Sequence, residues 1–397
     1  MRHILIVGGY LGMHRELYNQ GLRLTLLTNK QKLKEDTFKM YERVIGVKNN
    51  APEMEFLNAA KFIHSIDPID MVISFTDNFI ELAANIANKL NLNFINDIDT
   101  VEAACNKLKM RQIINKASLN STDFKIVSDF SQLETFINEV DYPVVVKPQK
   151  GTASIGINIL RNEKDLIKFR LETGNLNKPT YIEKFIHGEE FSVEAFSENG
   201  VHKVICVTQK HTNEKHVEIG HCIPAPIENH IRKSIITYVK NVLNALKVKN
   251  GPTHTEVILS KNGPVLIETH TRFPGDNIPE LIELVTGTNL FKLFAEQISG
   301  KEVLTKIPII QTNDLYAAIW YKTSNMNGKI IDIDYKCHNK TIYDIPNLHV
   351  SCKKEENITE TIDSFTRLAY AITKGSNATN TLTEAKSIIN NLIVKVD

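Results

Sequence analysis

Residues 253–276 read THTEVILSKNGPVLIETHTRFPGD, and the fold turns on them. Two apolar, β-branched runs, Val257-Ile258-Leu259 and Val265-Leu266-Ile267, flank Ser260-Lys261-Asn262-Gly263-Pro264, a turn by composition. That pattern predicts a hairpin. Glu256 opens its first strand and Glu268 closes its second, so folding brings two carboxylates side by side at the open end. Two acids at the edge of a buried sheet repel each other and lose hydration. A shared hard cation relieves both costs, and Mg²⁺ prefers carboxylate and phosphate oxygens. Arg272 follows four residues later, with Gly275 and Asp276 behind it. Carboxylates, a metal and a planar cation together suit phosphoryl transfer. An isolated hairpin with surface acids fits the same letters, so the rest of the chain has to decide.

Upstream, residues 142–159 read YPVVVKPQKGTASIGINI. A strand ends at Lys147 and leads into a small, polar loop with Gly151, Ser154 and Gly156, then a return strand from Ile157. Glycine lets backbone N–H groups approach phosphate oxygens closely, and the lysine adds a point charge. A P-loop would carry Lys-Ser/Thr at its end and run into a helix, so this loop is of another kind. Residues 181–196 read YIEKFIHGEEFSVEAF, with two strand runs around a polar connection. There Glu183, Lys184 and Ile186 stand where a strand leaves a sheet, and Glu190 follows. Backbone groups at such an edge can pair with a planar heterocycle, and a carboxylate can accept from ribose hydroxyls.

Taken in order, Lys107 in AACNKLKMR, Lys147 with its glycine loop, 183–186, Glu190, Glu256, Glu268 and Arg272 resemble the ATP-grasp superfamily over about residues 96–300. The resemblance implies an ATP-dependent ligase: ATP phosphorylates a carboxylate, and an amine attacks the acyl-phosphate. It implies ATP and Mg²⁺ as cofactors, with Mn²⁺ as a substitute. Lys107 and Lys147 resemble the lysines that hold the phosphates, and 151–156 the loop that closes over them. Glu183 with the backbone of Lys184 to Ile186 resembles the adenine hinge, and Glu190 the ribose ligand. Glu256 and Glu268 resemble the metal ligands. Arg272 resembles the cation that steadies the acyl-phosphate and the tetrahedral intermediate, and Glu268 and Arg272 are the catalytic pair.

One departure stands out. The family usually has Glu-x-Asn-x-Arg, and here Glu268-Thr269-His270-Thr271-Arg272 is written instead. His270 is the candidate for a second metal position, although imidazole suits Mg²⁺ poorly. Residues 210–226, KHTNEKHVEIGHCIPAP, contain His211, His216 and His221 at spacings that fit no zinc pattern. They read as a loop beside the site. Within it, Glu218-Ile219-Gly220-His221 resembles a loop of amino-acid ligases, with Glu218 and His221 as substrate candidates beside Gly275 and Asp276.

The first hundred residues alternate strand and helix: 4–7, 22–27 and 71–75 as strands, a helix over 80–90 opened by Asp77, and Asn93-Phe94-Ile95 closing the set. This is a Rossmann-like half. The text after Gly8-Gly9 lacks the dinucleotide fingerprint, which argues against NAD. From about Lys306 the chain reads as a small α+β unit with strands at 315–320 and 328–333 and a helix at 382–392. It resembles the C-terminal domain of the L-amino-acid ligase branch and carries no catalytic cluster, so it reads as a cap or as a homodimer surface.

The expected architecture is α/β and α+β multidomain. Residues 1–96 form a Rossmann-like domain and 97–305 the ATP-grasp core of two α+β subdomains, with a lid at about 120–190. Residues 306–397 form a C-terminal α+β cap. The chain has 397 residues, 42% hydrophobic and 23% charged, with net charge +1. Nothing there supplies a basic field for nucleic acid. Cys105, Cys206, Cys222, Cys337 and Cys352 form no CxxC pair, which favours free thiols in a reducing, cytoplasmic compartment over zinc. No apolar run reaches the ~20 residues of a membrane helix. The expected partners are therefore small molecules: a carboxylate, free or carrier-bound, and an amine, with amino acids foremost. Two other readings compete: a biotin-carboxylase-like or purine-pathway ligase using a small acid, and a non-catalytic nucleotide-binding module.

Overall fold

The computed structural model describes residues 1–33, 35–150, 156–176, 178–310, 315–336 and 342–397. Gly151, Ser154 and Cys337 lie outside the described residues. The chain begins with β1 (His3–Val7), α1 (Leu11–Asn19), β2 (Arg23–Asn29), β3 (Arg43–Val47), α2 (Glu53–Ile66), β4 (Met71–Ile73) and α3 (Asp77–Lys89). The four strands form a parallel sheet in the order β3-β2-β1-β4. Its central strand β1 is buried along its whole length, as a parallel strand covered on both faces must be. Asn93-Phe94-Ile95 is not a strand; Asn93 makes only an isolated bridge to Met71. The expected strand at 71–75 ends at Ile73, so Ser74 to Thr76 carry the chain out of the sheet to the start of α3.

Helices α4 (Ile98–Cys105) and α5 (Lys107–Lys116) lead to a small four-stranded sheet. It comprises β5 (Phe124–Val127), α6 (Phe130–Val140), β6 (Val144–Lys147), β7 (Asn158–Leu160), α7 (Glu163–Thr173) and β8 (Thr180–Lys184), ordered β5-β8-β6-β7. Leu133, Phe136, Leu166 and Phe169 cover one of its faces.

The remaining chain builds one long antiparallel sheet, a small three-stranded one and the helices beside them. Its members are β9 (Glu189–Glu198), β10 (Val201–Thr212), β11 (Glu218–Ile223), α8 (Asn229–Ala245), β12 (Gly251–Ser260), β13 (Gly263–His270), α9 (Ile278–Thr286) and α10 (Leu290–Ile298). After them come β14 (Tyr316–Lys322), β15 (Gly328–Tyr335), β16 (Leu348–Val350), β17 (Asn357–Ile358), β18 (Ala369–Gly375), α11 (Ala378–Asn391) and β19 (Leu392–Val396). The eight strands run β13-β12-β9-β10-β11-β14-β18-β16. The C-terminal stretch is therefore continuous with the central sheet, because β14, β18 and β16 extend it; β15, β17 and β19 form a separate small sheet.

Period-two alternation gives the long sheet its two faces. Phe191, Val193, Ala195, Val257 and Leu266 point to one side and pack on Ile235, Val239, Val242 and Leu243 of α8 and Met110 and Ile114 of α5. The intervening residues, Glu190, Ser192, Glu194, His254 and Glu256, point to the other side and are charged or polar.

The hairpin expected at 253–276 is present, and its strands are longer than the apolar runs indicated. Glu256 stands opposite Glu268, with a register shift just beyond, where Val257 pairs with Leu266. The bulge at Ile267 matters. Without it Glu268 would share the apolar face of Leu266; with it Glu268 turns to the polar face beside Glu256.

Candidate active site

The polar face holds a network of buried and half-buried charges. Glu256 is 2.9 Å from Lys210 Nζ and 3.2 Å from His254 Nε2. Glu268 is 2.8 Å from Lys107 Nζ and 3.0 Å from His270 Nε2. Each histidine is backed by a second acid: His254 Nδ1 by Glu194 at 3.0 Å, and His270 Nδ1 by Asp77 at 3.2 Å. His254 and His270 are register partners, and their rings stack at 6.1 Å. The two acids thus have matching surroundings on paired strands.

Burial raises the pKa of a carboxylate and nearby cations lower it. For Glu256 the cations win over burial: Lys210 first, with His254, holds it at about 2. Glu268 is held well below the usual range against burial, by Lys107 and then His270. His254 moves the other way, to about 10, because Glu194 and Glu256 outweigh burial.

Lys210 escaped the sequence reading. Residues 210–226 are not a loop over their whole length: 210–212 belong to β10, and 218–223 form β11. That registry puts the Lys210 ammonium among Glu190 (2.6 Å), Glu218 (2.7 Å) and Glu256 (2.9 Å). Burial opposes its charge, and the three carboxylates, Glu190 first, raise its pKa well above normal. Glu190 itself is raised by burial despite Lys210.

Lys147 and Glu183 come together as well, in a different relation from the one expected. Glu183 is 4% exposed, and its carboxylate accepts from Lys147 Nζ (2.5 Å), Arg111 Nη2 (3.0 Å) and the Tyr181 hydroxyl (2.8 Å). It therefore orients Lys147 and does not reach out from the strand edge. Arg111, a second residue the sequence hid, is buried and also donates to the Leu266 carbonyl. At the hinge, the Lys184 and Phe185 N–H groups are taken by the Asp123 and Pro143 carbonyls. The backbone of Ile186 makes no hydrogen bond to another described residue. Gly188 is required there: a Cβ would lie 2.1 Å from the Leu259 carbonyl oxygen. Gly156 is exposed with φ +78° at the end of the loop.

His270, the expected second metal position, lies with Nε2 3.0 Å from Glu268 and Nδ1 3.2 Å from Asp77. Arg272 is likewise engaged. Its Nε donates to Asp77 Oδ1 (2.5 Å), its Nη2 to Asp77 Oδ2, and its Nη1 to the Phe273 carbonyl (2.7 Å). Asp77, expected only to start a helix, thus ties the N-terminal sheet to the hairpin.

Gly275 is exposed, and Asp276 adopts φ +55°. Asp276 accepts from His221 Nε2 at 2.9 Å and from both terminal nitrogens of Arg367, at 2.8 and 2.5 Å. Arg367 lies over the Tyr321 ring at 3.7 Å and also donates to the Glu218 carbonyl. The C-terminal stretch, in which the sequence shows no catalytic cluster, thus contributes Arg367 to this group. Among the described residues, Glu218, His221 and Asp276 offer ligand atoms within 4.8 Å of one another. Lys210 and Arg367 already supply cations to the two acids.

Residues 140–280 match the ATP-grasp domain family. That stretch is similar to ATP-grasp domains, and the chain has their fold. An L-amino acid ligase from Bacillus licheniformis superposes with a TM-score of 0.83 at 20% identity, covering 100% of this chain and 99% of that one. Phosphoribosylglycinamide synthetase from Anaerococcus prevotii superposes at 0.73 and 21% identity, covering both chains completely. At these identities the likeness is one of fold. In sequence, alanine–anticapsin ligase of Bacillus subtilis (strain 168) is 25% identical over 311 residues, 71% of this chain and 66% of that one. The chain thus spans just under two thirds of the length of that relative. No helix among the described residues is long and apolar enough to cross a membrane.

Proposed function

We propose that this ATP-grasp chain is an ATP-dependent carboxylate–amine ligase acting on amino acids or amino-acid-like substrates, with a peptide or amide, ADP and phosphate as products. The observation that carries the reading is the Glu256–Glu268 pair across the hairpin, with Lys107 on Glu268 and Lys210 on Glu256. Similarity to an amino-acid ligase in sequence and to another in fold favours this branch over a bicarbonate- or formate-using one.

In this reading residues 1–96, 97–305 and 306–397 are the three domains, and 120–190 is the lid. ATP lies between the small and the long sheet. The Ile186 backbone and Glu190 receive the nucleoside, and Lys107, Lys147 and Lys210 the phosphates. Glu256 and Glu268 offer hard oxygens that fit Mg²⁺ or Mn²⁺, and His270 does not fit. The ion would neutralise charge on the transferring phosphoryl group. With an ion there, Lys107 and Lys210 would be released from two of their carboxylates and could turn to phosphate. Arg272, held at one edge by Asp77, keeps N–H donors for the acyl oxygen. The test is ADP release with ATP, Mg²⁺ and amino acids in pairs, free or carrier-bound, with mass spectrometry of the product. Acid- and amine-dependent ADP with a product one water lighter than the pair supports the reading. Release of ADP without any amide would sink it, and so would failure to release ADP under every pairing.

A further inference from the structure

His221 is 1% exposed, and its two nitrogens differ sharply. Nε2 sits 2.9 Å from Asp276 Oδ2; an ionised carboxylate only accepts, so the hydrogen is on Nε2. Nδ1 is left with its lone pair, and it has no hydrogen-bond partner among the described residues although it is buried. A buried, unpaired acceptor costs about 1–3 kcal/mol, so its persistence asks for a use. The arrangement is also braced from behind. Arg367 grips Asp276 through two nitrogens, donates to the Ser364 and Glu218 carbonyls and stacks on Tyr321. That bracing keeps Asp276 ionised and oriented, well below the usual carboxylate range against burial.

The neighbours say what would meet Nδ1. Lys210 is the register partner of His221 across the sheet, Glu218 lies on the same strand, and Tyr321 packs edge-on against the ring. The Tyr321 hydroxyl is likewise buried and unpaired. His211 follows Lys210 on the adjacent strand, opposite Gly220. A Glu218 oxygen, an Asp276 oxygen and one ring nitrogen of His221 lie within 4.8 Å of one another, which puts the Glu218 carboxylate beside the imidazole.

We infer that His221, oriented by Asp276 and Arg367, is the base that takes a proton from the incoming amine. The inference rests on the ligase reading above. The amine arrives as an ammonium against Glu218 and gives one proton to Nδ1. Its freed lone pair forms the C–N bond to the acyl carbon while the C–O bond to phosphate breaks, and the phosphate leaves with that electron pair. The proton shed by nitrogen after attack leaves on the phosphate. His221 returns its own proton to solvent once product has gone. Asp276 and Arg367 are positioning residues: they set the tautomer and touch no reacting atom.

The experiment compares two nucleophiles with one enzyme. Hydroxylamine is uncharged at neutral pH and needs no base, whereas an amino acid is an ammonium. In His221→Gln, trapping of the acyl-phosphate as hydroxamate should stay within a few-fold of wild type. Amide formation with an amino acid at pH 7 should fall by ~10²–10⁴, the usual worth of a positioned base. That loss should shrink by about tenfold per pH unit as solution deprotonates the amine. Asp276→Asn, whose amide can donate to Nε2 and so force the hydrogen onto Nδ1, should show the same selective loss. The hydroxamate assay doubles as the check that each variant is folded. If both nucleophiles slow equally, or if neither does, the base assignment is overturned. If the wild-type chain forms no hydroxamate with any of the acids supplied, it fails for another reason: the ligase reading itself is then wrong.

Discussion

Replacing Glu183 with Gln removes one negative charge from a site where two cations depend on it. Lys147 Nζ and Arg111 Nη2 lie 2.5 and 3.0 Å from its carboxylate, and all three side chains are buried. Burial pushes Glu183 up, but Lys147 and then Arg111 bring it to about 2. Against about 4.3 for a free glutamate, at about 1.4 kcal/mol per unit, that is about 3 kcal/mol of stability at neutral pH. Lys147 returns part of the gain, since burial pushes it down more than Glu183 lifts it. In the variant both cations stay buried with no anion, and breaking such a pair costs about 3–5 kcal/mol. The sign of the pH effect follows. The folded pKa is depressed, so the contribution is present above about pH 4.3 and is lost as pH falls through about 2. Wild type and variant should therefore converge on acidification. The assay is native-state hydrogen exchange in Val144–Lys147 and Thr180–Lys184, the strands that carry the pair. A loss of about 3 kcal/mol appears as at least about a hundredfold faster exchange at pH 7. Exchange within about threefold of wild type would falsify the claim that Glu183 is what keeps Lys147 in place.

Three further outcomes are expected. Glu268→Gln should abolish ADP formation while circular dichroism stays native, because one carboxylate of the cross-strand pair is lost; turnover near the wild-type rate would remove Glu268 from the site. Arg272→Ala should still bind ATP and lose ligation by ~10²–10³, and Arg272→Lys should recover little, because an ammonium cannot reproduce the two-nitrogen grip on Asp77; product formed at saturating ATP decides. For His254, a folded pKa of about 10 means its stabilising contribution is complete below about pH 6.5 and is lost as pH rises through about 10, by about 1.4 kcal/mol per unit. Thermal unfolding between pH 7 and 10 should show that loss in wild type and a flatter profile in His254→Gln; parallel profiles would refute it.

The elements legible in the text were those whose local pattern and tertiary role agree. The hairpin, the strand before Lys147 and the helix that Asp77 opens all emerged close to expectation. The departures share a cause. The histidine-rich segment looked like a loop because its polar residues do not alternate cleanly with apolar ones, yet 218–223 pair in register between β10 and β14. Arg111 drew no reading from the sequence, and its partners lie on β8 and β13. Arg367 sits 91 residues from Asp276, in a stretch with no local sign of chemistry.

Residue types and their order were enough to determine that this chain has paired acids on a hairpin, a lysine before a glycine loop and an arginine just past the second strand. Those features are local, and local chemistry is written in the sequence. Which face each side chain takes was decided elsewhere. Strict alternation puts Glu268 on the side of Leu266, and the bulge at Ile267 turns it toward Glu256. The assignment of partners to Glu183, Lys210, Arg272 and His221 was likewise a tertiary matter, because buried charges must find counter-charges and those lie on other strands. A sequence lists the charges; packing decides which of them meet.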